Sequence, residues 1–266
     1  MTDNYLITGY WGEPHVTAEN DRGINAAMFG AGRFVLPVGE QFRAEYIGNN
    51  TIRMYDGKLI DNGAAAGIPA GEYVDLLIAN AGQGKKRNDL IVFQYEQDDS
   101  TLIESGRFVV IQGTETGGTP SDPTLTQEDL LSGNAKFDQM ALWRVSVLGA
   151  TVSGITRVLE VEWRNPPLIM GEEYRTAERW NGKVVYTKLV NCGNLPNAST
   201  KTVAHGASAT QIIRCNGQCT SNFTPIPRDW NGGIMGVFAD RGNILITTNV
   251  DYSDQTACVQ IWYTKN

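Results

Sequence analysis

Short runs in which apolar and polar positions alternate with a period of two recur along this chain, separated by turn residues. Arg33 to Leu36 has the β-branched and aromatic content of a short strand, after Gly30 and Gly32 have broken any helix. From Asn50 to Tyr55 the pattern puts Ile52 and Met54 on one face, Asp56-Gly57 supplies a turn, and Lys58-Leu59-Ile60 begins a returning strand. A loop and a further alternating strand follow over Gly67 to Ile78. Asp89 to Glu96 and Gly106 to Gln112 are stronger strands, separated by polar residues. Gln139 to Val147 reads as extended, with Leu142, Arg144 and Ser146 on one side and Trp143, Val145 and Val147 on the other; Ile155 to Val161 continues the series.

One stretch departs from this period. Thr126-Gln127-Glu128-Asp129 precedes Leu130-Leu131 as an acidic first turn precedes a helix, and Gly133 stops it after about two turns. Trp163-Arg164-Asn165-Pro166-Pro167 reads as a hinge, because consecutive prolines remove two donors and stiffen the chain. The expected organisation is therefore an N-terminal module with its neck over 1–165 and a C-terminal module over 172–266. The fold class is all-β: two β-sandwich or barrel-like modules joined by a short helix and an extended neck.

The C-terminal module carries the most specific pattern. Trp180, then Asn181-Gly182, then Lys183 and Tyr186 form a hairpin signal, since a type I′ turn needs two residues that tolerate positive φ. Leu195-Pro196-Asn197-Ala198-Ser199-Thr200-Lys201-Thr202-Val203-Ala204-His205-Gly206 and the closing Val259 to Lys265 complete it. With Glu173-Tyr174-Arg175-Thr176, these segments resemble the head domain of phage tail fibres and receptor-binding proteins. Trp180 and Trp262 lie in the segments that define that pattern and are expected to be buried strand aromatics. Upstream, Thr8 to Glu19, Phe29 to Pro37, Gln83 to Val92 and the loop Gly113 to Pro123 are similar to the N-terminal module of phage tail and baseplate structural proteins. The loop itself, rich in Gly, Pro, Ser and Thr, should be exposed connection.

The resemblance implies a virion protein of the tail tip or baseplate, homotrimeric, that attaches through its N-terminal module to other tail or baseplate proteins and adheres to a host cell-surface glycan without catalysis. No coiled-coil seam of three or more heptads supports the trimer independently. Three linked sites would raise avidity for a weak ligand by orders of magnitude. Depolymerase tailspikes, by contrast, carry long parallel β-helices with many repeats, and no such repeat occurs here.

Composition narrows the partners. Among 266 residues the formal net charge is −7, which argues against nucleic acid because phosphate neutralisation needs clustered Lys and Arg. The single basic run, Lys85-Lys86-Arg87, is expected to be a solvated turn. No apolar stretch reaches the roughly 20 residues that span a bilayer, so no membrane insertion is expected, and Met1-Thr2-Asp3-Asn4 lacks a signal peptide's basic and apolar regions, implying synthesis in the cytoplasm. Cys192, Cys215, Cys219 and Cys258 are then expected to be reduced and buried. The Cys215/Cys219 spacing lacks a second pair to complete a zinc site, and no cofactor is expected.

Candidate chemistry is sparse. His15 and His205 both fall in turn-like motifs and are expected to be turn or capping residues. No H-E-x-x-H, G-x-S-x-G or Walker-type loop occurs. For a saccharide, an aromatic face flanked by planar polar side chains is needed. Arg228, Asp229, Trp230 and Asn231 offer it, and Asp251, Tyr252 and Asp254 lie in a loop between two late strands; Phe223 lies just upstream of the first group. Alternative readings are a baseplate adaptor, a non-viral carbohydrate-binding or adhesin module, or a glycan-cleaving enzyme, which needs only two carboxylates about 5 to 9.5 Å apart.

Overall fold

The computed structural model describes residues 17–30, 32–132, 134–220, 223–230 and 232–266. The protein is all-β, with 57% of residues in strands and 6% helical. It divides into two compact units, one ending at Val161 and one from Glu162 to Asn266.

The first unit opens with a helix that the strand-like periodicity does not announce. α1 (Ala18–Phe29) starts at Thr17, whose hydroxyl accepts the Asn20 N–H, and ends at Gly30 with φ 93°. It carries no apolar stripe: Arg22 is its buried residue. β1 (Arg33–Val35) and β2 (Ala44–Gly48) flank one side of the long β3 (Thr51–Asp61), and β4 (Ala64–Leu77) runs antiparallel along the other. Asp56-Gly57 is not the turn that its dipeptide suggests. It sits in mid-β3 at a bulge, where the Asp56 carboxylate accepts the backbone N–H groups of Glu40 and Gly71 and Gly57 packs under Phe42. Lys58 to Ile60 therefore continue β3 rather than return. The reversal comes at Asn62-Gly63, both at positive φ, as a type I′ hairpin requires.

The second sheet of this unit has the order β6-β5-β7-β8, formed by β5 (Lys86–Gln97), β6 (Glu104–Ile111), β7 (Phe137–Leu148) and β8 (Thr151–Arg157). β8 is shifted toward the N-terminus of the expected Ile155–Val161 segment. A bulge opposite Ile91/Val92 shifts the alternation of β7, so Leu142 and Val145 are both buried although sequence parity puts them on opposite faces. The helix expected from Thr126 is a single 3-10 turn, Leu130–Ser132, inside this unit, before β7. Val35, Ile52, Met54 and Leu59 from one sheet, Phe42 from the β1–β2 connection, and Ile91, Phe93, Met140, Leu142 and Val145 from the other sheet share one core. Each fully buried aliphatic side chain there contributes roughly 1.5–3 kcal/mol.

The second unit is a sandwich. Its larger sheet has the order β14-β13-β18-β11-β10-β9, from β9 (Glu162–Trp163), β10 (Glu173–Trp180), β11 (Lys183–Asn194), β13 (Gln211–Cys219), β14 (Pro225–Ile226) and β18 (Thr256–Thr264). Its smaller sheet has the order β12-β17-β16-β15, from β12 (Thr200–Ala204), β15 (Arg228–Trp230), β16 (Gly233–Ala239) and β17 (Asn243–Thr248). Val190, Cys192, Val259 and Ile261 on the first face Met235, Ile244 and Ile246 on the second. Trp163 is thus a strand residue, paired in parallel with Thr176.

Candidate functional site

The ends of the second sandwich differ in composition. One end gathers the Asn181-Gly182 hairpin, the connection after β12 and the β16–β17 turn. Asn181 and Gly182 have φ 49° and 76° between the paired Trp180 and Lys183. His205 is buried here. Its Nδ1 accepts the Ala207 N–H at 3.1 Å and its Nε2 donates to the Asp240 carbonyl at 3.2 Å, so it ties two turns together. The Asp240 carboxyl is held below its usual range by the Gly242 and Asn243 N–H groups. Trp180, expected inside, is 43% exposed, because it sits beside the hairpin turn at the end of its strand. Trp262 is half-buried, its ring covered by the Arg214 guanidinium at 4.4 Å.

The opposite end collects the described parts of four connections: 195–199, Thr220 with Phe223-Thr224, Gly232, and 249–255. Asn194 and Cys219 both meet the start of β18, at Thr256 and Ala257. The Ala198 N–H reaches the Val250 carbonyl, and Asn197 bridges Asp251. Asn249 staples the β15–β16 turn: its Nδ2 donates to the Gly232 carbonyl at 2.6 Å and its Oδ1 accepts the Ile234 N–H at 2.7 Å. Sequence reasoning passed over Asn249, whose signal was only that Asn suits turns.

All the candidate saccharide residues within the described structure lie at this end, although the two groups belong to different connections. Arg228 to Trp230 are not a loop; they form the edge strand β15, in register with Met235, Ile234 and Gly233. Arg228 is half-buried and points one Nη at Thr224 Oγ1, 3.4 Å away. Asp229 is exposed. The Trp230 side chain and Asn231 lie outside the described residues, as does His15. Asp251 is exposed, and its carboxylate accepts the Ser253 N–H at 2.9 Å, which lowers its pKa. Tyr252 is half-buried against the core, with backbone bonds to Pro196 and Gln255. Asp254 is exposed. Phe223, at 74% exposure, and Val250, at 42%, add apolar surface to the same end.

Elsewhere, the first unit has a cleft of about 560 Å³ between α1, the start of β4 and the β5–β6 hairpin. Arg22 donates there to Glu104 and the Leu130 carbonyl, and its guanidinium lies 5.4 Å from the Tyr95 ring centre. All four cysteines are free; Cys192 and Cys219 are buried, Cys215 and Cys258 half-buried. Burial, with the neighbouring Cys258 thiol, pushes Cys192 up to about 11. Among the described residues no group of three His, Cys, Asp or Glu could hold a metal ion, and no helix is long and apolar enough to cross a membrane. Arg87, expected in a solvated turn, is fully buried in β5 and paired with Asp89 at 2.7 Å. No protein-family model and no curated protein matches the chain.

Proposed function

We propose that this chain is the receptor-binding protein of a phage or prophage tail, adhering to a host cell-surface saccharide through one end of its C-terminal sandwich without catalysis. One observation carries the reading: the described parts of the connections after β11, β13, β15 and β17 converge on one end of a two-sheet scaffold, and the exposed Asp229, Asp254 and Phe223 stand on it. Binding groups on loops held by a rigid β scaffold are the common arrangement for recognition. A homotrimer carried on the virion, anchored to other tail or baseplate proteins through the first unit, would multiply weak sugar contacts.

Cell attachment tests this. Trp230→Ala and the exposed double change Asp229→Ala/Asp254→Ala should each lower attachment by about tenfold or more, since avidity magnifies each single-site loss. Unchanged attachment in both removes the site. Tyr252→Ala is a weaker probe, because Tyr252 also packs on the core. A second reading, a baseplate adaptor that binds no sugar, draws on the commitment of Asp251 to its own turn and of Tyr252 to the core. It expects full assembly into tails with no glycan signal for any variant or for the parent chain.

A further inference from the structure

The interior of the first unit holds two carboxylates with one cation between them. Asp61, at the end of β3, and Asp138, in β7, are both at 0% exposure. Arg33 on β1 serves both. Its Nε donates to Asp61 Oδ1 at 2.9 Å, while Nη2 donates to Asp138 Oδ1 at 2.5 Å and to the Glu128 carbonyl at 3.2 Å. The Glu128 N–H donates to the same Asp138 oxygen at 2.6 Å. The second oxygens, Asp61 Oδ2 and Asp138 Oδ2, are buried with no hydrogen-bond partner when both groups are written as carboxylates. Fully ionised, the triad would bury an uncompensated negative charge and two orphaned acceptors, both costly. A single proton removes all three defects at once, because a carboxyl group donates where a carboxylate can only accept.

We propose that Asp61 and Asp138 hold one proton between them and that this proton latches the β1–β3 sheet to β7 and the segment 126–129, so that the seam between the two sheets loosens when it leaves. The groups around the pair fit this reading. Arg33 is already shared, and Arg22 of α1 is committed to Glu104 and the Leu130 carbonyl. The Glu128 carboxylate accepts the Lys136 and Phe137 N–H groups. Tyr95 of β5 stands directly opposite Asp138. Burial first, then the neighbouring Asp138, pushes Asp61 up to about 7. In such a pair the titration belongs to both groups.

The sign of the linkage follows. An acid whose folded pKa lies above its unfolded value gives stability that is full below about pH 4, declines as pH rises and is gone above about pH 7. Acid-sensitive salt bridges do the reverse.

Carbon-13 NMR of the aspartate side-chain carboxyls in the full chain reads the pair directly. A step near neutrality at the Asp61 carboxyl is expected; complete ionisation of Asp61 below about pH 5 overturns the proposal. Asp61→Asn and Asp138→Asn each remove the shared proton. Relative to either variant, the folding equilibrium of the parent should fall by up to about tenfold per pH unit between about pH 4 and 7, and a flat difference profile is the contrary result. Amide exchange at Glu128, corrected for intrinsic rate, should quicken above about pH 7. An unchanged rate would leave a buried proton with no latch. Should neither variant fold, the NMR titration of the parent decides alone.

Discussion

A methyl group added at Gly57 would lie 2.6 Å from the Phe42 amide nitrogen and 3.0 Å from its ring, and Phe42 is completely buried. Neither neighbour can retreat without moving the core, so Gly57→Ala is expected to destabilise the first unit by about 2 kcal/mol, measured as a lowered midpoint in chemical denaturation. A midpoint within error of the parent would show that the strand can shift. The same position explains why Asp56-Gly57 misleads. A short acidic residue before glycine is a turn signal because Asp can bond its own backbone. Here the carboxylate instead serves amides at Glu40 and Gly71, partners no local pattern reveals. Asn62-Gly63 and Asn181-Gly182, by contrast, do what their φ tolerance dictates. The saccharide candidates follow from residue type and from a position outside the clearest strands, and neither signal could tell that Arg228–Trp230 form an edge strand or that the two groups share one end of the sandwich.

Arg87 and Asp89 show the same limit at the level of an element. Both are side chains of β5 on one face, and a run of three cations reads as solvated surface. Yet the Arg87 guanidinium donates to both Asp89 oxygens, to the Ala79 and Asn80 carbonyls and to Glu115, while Asp89 also accepts the Gly113 N–H. The clamp thereby fixes both flanking connections to the strand. Arg87→Ala leaves Asp89 buried without its cation and should cost about 3–5 kcal/mol, seen as a lower thermal midpoint. A loss under about 1 kcal/mol would mean that water reaches Asp89. Strand elements were legible because their apolar period is strong. α1 was not, since its one buried residue is an arginine and only the Thr17 cap and Gly30 mark its ends.

At the scale of the molecule, the outer face of the β12-β17-β16-β15 sheet is the relevant surface. Ile234 and Phe238 stand on it, 47% and 62% exposed, with Leu245 in register with Phe238 and Thr202 beyond it. If the chain assembles through this face, light scattering should give about 87 kDa, three times the 29.1 kDa chain, and Phe238→Glu should return it to the mass of one chain. A parent protein that is already monomeric would turn attention to the adaptor reading. The all-β character was legible from the apolar alternation and the turn residues between strands, whereas Pro166-Pro167, read as the hinge, lie inside the second unit. The actual division after Val161 was not legible, because Glu162 and Trp163 are drawn into the second unit by pairing with β10 rather than by any local preference.

That small edge strand has a mechanical consequence. Glu162 is clamped by Arg175 at 3.0 Å and Arg179 at 2.9 Å, and β9 is joined to its sheet by only two residue pairs, whereas β18 lies deep between β11 and β13. Tension along the chain from Val161 would peel β9 away before any strand of the second core yields. The freed segment, residues 162–169 up to the bridge at Met170, would measure about 26–29 Å fully extended at roughly 3.3–3.6 Å per residue. The sandwich would stay folded on a lengthened leash that can recoil when the load drops.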